Sequence, residues 1–472
     1  MSSNTDRPKE DTERATVVTR FAPSPTGLFH AGSYRTALFA YIFARQNGGR
    51  FILRIEDTDK ERSKKEFEDN IIESLKWLGL EYDEFYRQSE RTEIYRESIR
   101  KLIDSGHAYV SDESQSVDKL QGRTSSGQAR SSVIRFRNPN KKVAFDDLIR
   151  GRIEFDTTEL GDFVIAKSME EPVFHLVNVV DDMDMGMTHI IRGEDHISNT
   201  PRQILIFEAL GAKPPIYAHI PLLLSTDRSK LSKRHGAVSM TEYRERGYIP
   251  DALVNFMALL GWHPAPTPGE PEKEIMSLEE IIQTFSLDRV QKSGAIFDDA
   301  KLNWFNKQYI SKLGDSEFAS YASAFLPDWI AATSPQFGRL IQILREKISV
   351  LGDIKTALSP GGELAFVHSL PDFHAEMLLW KKDPSKEKAR MHLEKVQSLL
   401  AAISDDAFTA ESIKGAIWDY AEAEGKGDVL WPFRMALTGQ ERSPDPVMCA
   451  FILGREETLK RIDSSLKKLS AA

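Results

Sequence analysis

The sequence predicts a multidomain α/β protein: a parallel sheet interrupted by an inserted α+β subdomain, followed by an all-helical C-terminal region. Three observations predict it. The chain has 472 residues, too many for a single core at roughly 100 to 200 residues per domain. Its first ordered stretch reads strand, helix, strand, and a crossover of that kind makes the two strands parallel. Beyond Ser311 the strand signals nearly vanish while helical spacing continues, most plainly at Leu393, Val396, Leu399, Leu400 and Ile403.

The elements follow in order. Val17-Val18-Thr19-Arg20-Phe21 is a β-rich run stopped by Pro23 and Pro25, and Gly27 and Gly32 loosen the loop after it. From Ser33, the apolar residues Leu38, Tyr41 and Ile42 fall at helical spacing until Gly48-Gly49, and Phe51-Ile52-Leu53-Arg54-Ile55 is the second strand. Ser63 with Glu66 reads as a capping box for a helix that buries Phe67, Ile71, Leu75 and Leu78 and ends near Gly79. A further helix carries Tyr95, Ile99 and Leu102, after which Ser111 to Ser132 turns polar and rich in Ser and Gly, part of the insertion. The apolar stretch from Phe163 through Val173 to Asp182, then Thr188 to Ile191, is where the parallel sheet is expected to resume, with a helix after Pro201. Four prolines between His263 and Pro271 mark a turn-rich connection. No fixed-period repeat is present, which excludes a strict solenoid.

Composition narrows the class. Lys plus Arg is 62 against 71 Asp plus Glu, a net charge of −9, with 41% hydrophobic residues, which excludes wholesale disorder. An acidic sum argues against a polyanionic partner unless a basic face is local. Cys449 is the one cysteine, so no intrachain disulfide and no multi-cysteine metal site can form, as suits a reducing cytoplasm. Met1 to Arg14 holds no apolar stretch, and no segment approaches the ~20 apolar residues of a membrane span. A soluble cytoplasmic protein with a flexible tail over residues 1–15 and no membrane partner is expected.

Four places could carry chemistry. In open α/β sheets, ligands bind beyond the C-terminal strand ends, where a helix N-terminus offers N–H groups to an anion. The loop Ser24 to Gly32 occupies such a place, without the glycine spacing of a dinucleotide or Walker loop. Gly32 would let a purine or phosphate approach and His30 could donate to a phosphate oxygen; the alternative is a plain loop with a satisfied histidine. Glu56-Asp57-Thr58-Asp59 suits an ammonium group or hydrated Mg²⁺, or equally a helix cap and turn. Arg228, Lys230, Lys233 and Arg234 stand against Asp227 alone, as a solvated basic turn or as a loop that closes on a polyphosphate. Arg20 and Arg192 each sit near a strand end; if both face one pocket, the substrate is an acid.

Taken together these segments resemble the class I aminoacyl-tRNA synthetases, specifically the bacterial-type glutamyl-tRNA synthetases, collinearly from about Thr19 to Leu469. Arg20 to Gly27 is similar to the family's opening, and His30-Ala31-Gly32-Ser33 falls where its HIGH motif lies. Ile55 to Asp59, Val179 to Asp182, Ile191 to Asp195 and Thr200-Pro201-Arg202 follow in family order. Lys230-Leu231-Ser232-Lys233-Arg234 matches the KMSKS motif, and Phe297-Asp298, Lys301-Leu302 and Trp304 resemble a later segment. The resemblance implies a Rossmann-type parallel-sheet catalytic domain and an all-helical C-terminal anticodon-binding region. It implies glutamate, tRNA(Glu) and ATP with Mg²⁺ as reactants, a glutamyl-adenylate intermediate, and a monomer. His30, Lys230 and Lys233 would be catalytic, with Gly27, Gly32 and Ser232 joining them around ATP. Arg20, Ala22, Ser24, Glu56, Phe174, Asn178 and Arg192 would line the glutamate site.

The same resemblance divides the chain into 16–105 and 175–238 for the two catalytic halves, 106–174 for the inserted acceptor-binding subdomain, 239–310 for a stem-contact helical domain, and 311–375 and 376–472 for two anticodon-binding subdomains. Three departures stand out. Phe174 replaces the family's usual tyrosine and removes a hydroxyl; Ala31 and Ser33 vary the HIGH motif; and His107 to Arg130 lacks the cysteine cluster with which some relatives hold zinc. No zinc and no other protein-bound metal is therefore expected. The helical pattern after Ser311 argues against a glutaminyl-tRNA synthetase, whose anticodon part is built from β-barrels, and the chain's length argues against a shortened tRNA-modifying paralogue.

Overall fold

The structure, a computed structural model, describes residues 16–112, 132–231, 239–266, 268, 269, 271–370 and 372–471. The expected tail over residues 1–15, most of the Ser- and Gly-rich stretch, and Ser232 and Lys233 lie outside these. The chain divides into two compact units, one running to Arg244 and taking in Pro250–Phe305, the other formed by Glu245–Ile249 and everything from Asn306.

In the first unit, β1 (Val18–Phe21), α1 (Ala31–Gln46) and β2 (Arg50–Ile55) form the crossover. The strands pair in parallel, Val18 beside Arg50 through Phe21 beside Leu53. The turn between α1 and β2 needs Gly49, where a Cβ would stand 2.1 Å from the Val17 carbonyl oxygen. α2 (Lys65–Trp77) buries Ile71 and Leu75, and the chain leaves it at Gly79, φ +72°. The expected capping box does not form. Lys64 is the N-cap, and the Ser63 hydroxyl is buried without a partner, because Ser63 N is tied to the Asp59 carbonyl at 2.9 Å in a tight turn one residue too early. β3 (Glu84–Arg87) extends the sheet in parallel beyond β2, and α3 (Thr92–Asp104) buries Tyr95, Ile99 and Leu102.

The insertion holds β4 (Ala108–Asp112), β5 (Ser132–Phe136), β6 (Lys142–Asp147), β7 (Gly151–Asp156), β8 (Phe163–Ser168) and β9 (Glu171–Pro172). β4, β5, β8 and β9 make an antiparallel sheet, whereas β6 and β7 form a hairpin. The apolar stretch from Phe163 therefore does not resume the parallel sheet. Its first part is the antiparallel β8 and its second part is α4 (Phe174–Asp184), buried at Leu176, Val177, Val179 and Val180. A helix covered on several faces has the same continuous apolar run as a buried strand, so periodicity cannot separate them.

The parallel sheet resumes at β10 (His189–Gly193), beside β1, where Thr188 N donates to the Val18 carbonyl at 3.1 Å. α5 (Thr200–Ala209), with Pro201 in its first turn, leads to β11 (Ile216–Ile220), parallel to β10. β6 then joins the free edge of β11 at Tyr217 and Asp147, so the insertion's hairpin completes the four-stranded sheet β10-β11-β6-β7 that stands beside the three-stranded β1-β2-β3. Two short strands, β12 (Leu223–Leu224) and β13 (Ala295–Ile296), pair in parallel. Between them lie α6 (Met240–Glu245), α7 (Pro250–Leu259) and α8 (Leu278–Thr284), the last opened by a complete capping box of Ser277 and Glu280; α9 (Asp299–Lys312) follows.

The second unit is helical: α10 (Asp315–Ala322), α11 (Pro335–Lys347), α12 (Asp353–Leu358), α13 (Lys386–Ala401), α14 (Ala410–Glu424), α15 (Lys426–Thr438), α16 (Pro446–Leu453) and α17 (Arg455–Ala471). α13 packs against α15 and α17 through the buried Leu393, Val396 and Leu400, and ends before Ile403. No described helix is long and apolar enough to cross a membrane.

Candidate active site

β1, β2 and β10 end at one cavity of about 470 Å³, with the N-terminus of α1 beside it. This is the place where the connections from neighbouring parallel strands turn to opposite sides and leave a crevice. Arg20, Ala22 and Ser24 reach the wall from β1 and its loop, Glu56 from the end of β2, and Arg192 from β10. Phe174 and Asn178 come from α4, His30 and Gly32 from the start of α1, and Lys230 from the basic run. Gly27 forms no part of the wall.

The cavity's floor is a buried ion network around a residue that spacing does not single out. Arg54 has no exposed surface, and its guanidinium donates to Asp182 Oδ1 at 2.7 Å, Glu56 Oε1 at 3.1 Å and Asn178 Oδ1 at 3.3 Å. Arg20 donates to Asp182 Oδ1 at 3.1 Å and to Asn178 Oδ1 at 3.4 Å, and Asn178 Nδ2 donates to Glu56 Oε1 at 2.6 Å. Asp181 accepts from Gln88, Arg91 and Tyr95 at 2.8, 2.8 and 2.9 Å. Burial raises the Glu56 carboxyl against the pull of Arg54 and Arg20. For Asp182, burial acts in the same upward sense but Arg20 and Arg54 win and hold it below its ordinary value.

Arg192 differs from Arg20 and Arg54. It is 5% exposed and has no carboxylate within ion-pair distance among the described residues. Its Nε donates to His219 Nε2 at 3.1 Å, its Nη2 to Thr200 Oγ1 at 2.8 Å, and it lies over the Tyr217 ring. Burial pushes its pKa down to about 10, so at neutral pH it remains a cation awaiting an anion. Arg20 shares its charge with Asp182, so of the two strand-end arginines expected at the pocket Arg192 is the one without a carboxylate partner among the described residues.

At the rim, His30 is the N-cap of α1, its Nδ1 accepting from Ser33 N at 3.4 Å. A Cβ on Gly32 would meet the His30 ring at 3.3 Å, so the glycine makes room for that ring. Strand-like bridges tie His30 to Ser239 and Leu224 to Lys230, which holds Lys230 beside the cavity. Arg35, one turn into α1, is 1% exposed, donates to the Pro221 carbonyl, and leaves Nε and Nη1 without partners; burial takes its pKa down to about 9. Asp57 accepts from Ser89 N and Oγ at 2.8 and 2.6 Å, a long-range tie to the segment after β3, and Asp59 accepts from Arg62 within its own turn. Burial first, then the nearby cations Arg202 and Arg192, takes His175 down to about 4, and burial with Arg192 does the same for His196.

Motif order and strand ends single out ten of the 23 wall residues and miss Arg35 on the wall and Arg54, Asp147, Thr200 and His219 behind it. The signal for Arg54 and Arg35 was present as a charge inside an apolar run, Phe-Ile-Leu-Arg-Ile and Ser-Tyr-Arg-Thr-Ala-Leu. A buried arginine needs built partners, or a ligand, to stay charged.

A family model described as "tRNA synthetases class I (E and Q), catalytic domain" matches residues 16–126 and 114–304, and one described as "Anticodon binding domain" matches residues 317–466. The glutamate–tRNA ligase of Aquifex aeolicus is 42% identical over 96% of this chain and 99% of its own length. That of Heliobacterium modesticaldum is 40% identical over 94% and 95%. A crystal structure of a glutamate tRNA ligase from Elizabethkingia meningosepticum, in complex with its amino acid, superposes with a TM-score of 0.83 at 31% identity, covering 96% of this chain and 100% of that one. On these full-length likenesses, and on a catalytic and an anticodon-binding model matched in order, the chain belongs to the glutamate–tRNA ligase family of class I aminoacyl-tRNA synthetases.

Proposed function

We propose that this protein ligates L-glutamate to the 3′ end of tRNA(Glu) in protein biosynthesis, through a glutamyl-adenylate formed from Mg·ATP. The observation that carries the reading is Arg192, a buried guanidinium with no carboxylate partner among the described residues, in a cavity rimmed by His30 and Lys230. An α-carboxylate oxygen attacks the α-phosphorus, the bond to pyrophosphate breaks, and the tRNA's terminal 2′-hydroxyl then takes the acyl group and releases AMP. The attacking carboxylate is already ionised, so the first step needs no general base; positioning and charge compensation supply the rate.

In this reading Arg192 meets the side-chain carboxylate, and Arg20, tethered by Asp182, steers the substrate's other oxygens. Glu56 and Ser24 take the ammonium end, with Ala22, Phe174 and Asn178 walling the pocket. His30, Gly32 and Lys230, joined by Gly27, Ser232 and Lys233, attend ATP. Glutamine would leave Arg192 unpaired, a penalty on the order of 3 kcal/mol or about a hundredfold in specificity. The insertion over 106–174 would hold the acceptor end, 239–310 the stem, and 311–375 with 376–472 the anticodon, in a cytoplasmic monomer. The test is charging of purified glutamate- and glutamine-specific tRNAs with labelled glutamate or glutamine. Glutamate alone should be transferred; equal transfer of glutamine would overturn the role given to Arg192.

A further inference from the structure

Arg192 and His219 are register partners on the parallel strands β10 and β11, so their side chains leave the sheet on one face. The His219 ring has no exposed surface, its Nδ1 is 2.6 Å from Asp147 Oδ2, and its Nε2 is 3.1 Å from Arg192 Nε. An arginine Nε carries a hydrogen and never accepts. His219 must therefore present a lone pair at Nε2 and keep its proton on Nδ1, donated to Asp147.

Asp147 ends β6, the strand that the insertion lends to the main sheet. Its Oδ1 accepts from Ile149 N and Arg150 N at 2.9 and 2.8 Å, and its Oδ2 from His219 N at 3.0 Å. Burial would raise this carboxyl, but the His219 ring and those backbone donors hold it below its ordinary value, so it stays an acceptor. Thr200 Oγ1 occupies Arg192 Nη2, and Nη1 makes no hydrogen bond among the described residues. Every other nitrogen of the guanidinium is thus tied before a ligand arrives.

We infer that Asp147 and His219 are positioning residues for substrate recognition: Asp147 fixes the protonated nitrogen of His219, whose lone pair holds the Arg192 guanidinium with Nη1 left for the substrate carboxylate. The inference rests on the reading that Arg192 meets that carboxylate. A guanidinium held in this way has little orientational entropy to lose on binding, so the relay acts on glutamate affinity and not on ATP.

The experiment is steady-state tRNA charging by the full-length enzyme, with glutamate and ATP varied separately and thermal midpoints recorded alongside. Asp147→Asn keeps the shape but offers an amide N–H to His219, which moves the ring proton to Nε2 against Arg192; His219→Phe removes the acceptor, and His219→Gln restores one. Asp147→Asn and His219→Phe should raise the glutamate KM at least about tenfold with the ATP KM within about twofold, and His219→Gln should recover most of the loss. Unchanged glutamate KM in Asp147→Asn and His219→Phe, or a parallel rise in both Michaelis constants, overturns the relay. Arg192→Lys separates the two layers of the argument. If it leaves the glutamate KM unchanged, the carboxylate reading fails and takes the relay with it; if it raises that KM while Asp147→Asn and His219→Phe do not, the relay alone fails.

Discussion

Asp182 is shared by two guanidinium groups, Arg20 and Arg54, at 3.1 and 2.7 Å, with almost none of the three side chains exposed. Removing its charge while keeping its shape leaves two buried cations undercompensated, so Asp182→Asn should cost about 3 to 5 kcal/mol in urea unfolding at pH 7. The pH dependence has a definite sign. The folded-state pKa of Asp182 is depressed, so its stabilisation is complete above the unfolded value near ~3.9 and is lost as pH falls through the lower folded value. Glu56, raised by burial, works in the opposite sense and favours the folded state on acidification. The gap between parent and Asp182→Asn should therefore be full at neutral pH and narrow below about pH 4, read from urea midpoints at each pH. A gap that widens on acidification would contradict the network. Arg20, Glu56 and Arg192 were legible in the sequence because each stands at a strand end. Arg54 was not, because a cation inside an apolar strand becomes meaningful only when Asp182 and Asn178, more than a hundred residues later, arrive beside it.

Helix starts separate a capping pattern from a cap. Ser277 and Glu280 exchange bonds with each other's backbone at the start of α8, whereas Ser63 bonds nothing through its hydroxyl. Ser277→Ala should cost about 1 kcal/mol, and Ser63→Ala less than about 0.5 kcal/mol, in equilibrium urea unfolding. Equal costs would show that Ser63 caps α2 after all. The same S-x-x-E spacing occurs at both places. What distinguishes them is the Asp59 turn that precedes α2 and the tertiary tie beside it, Lys64 N to the Pro25 carbonyl at 3.0 Å. The crossover of β1, α1 and β2 was legible because its periods change cleanly from two to about 3.6 residues and glycines punctuate it. α4 was not, since its apolar run, Leu176 to Val180 broken only by Asn178, is too short to separate the two periods.

The net charge of −9 sets a condition on any tRNA-binding role: the polyanion must be gripped on local basic faces, through Lys and Arg that displace its counterions. The Michaelis constant for tRNA should rise more than about tenfold between roughly 50 and 200 mM salt. That for glutamate, on the proposal that the buried Arg192 meets its carboxylate, should change less than about twofold, since buried charges are poorly screened. A salt-insensitive tRNA constant would remove electrostatics as the basis of binding. The division into an α/β unit and a helical unit was legible at this scale, because strand and helix periods segregate along the chain around Ser311.

The sequence by itself determined the layered α/β unit, the helical C-terminal region, the order of the family's motifs and the position of ten of the 23 residues on the cavity wall. These depend on local periodicity, turn chemistry and motif order, all of which are written within a few tens of residues. Only the tertiary structure decided that Arg20 is already paired with Asp182, that Arg192 has no carboxylate partner among the described residues, and that His219 and Asp147 stand behind it. Those outcomes depend on which charges meet after the chain crosses over between distant strands, and a buried charge has its value set by those neighbours and not by its own position in the chain.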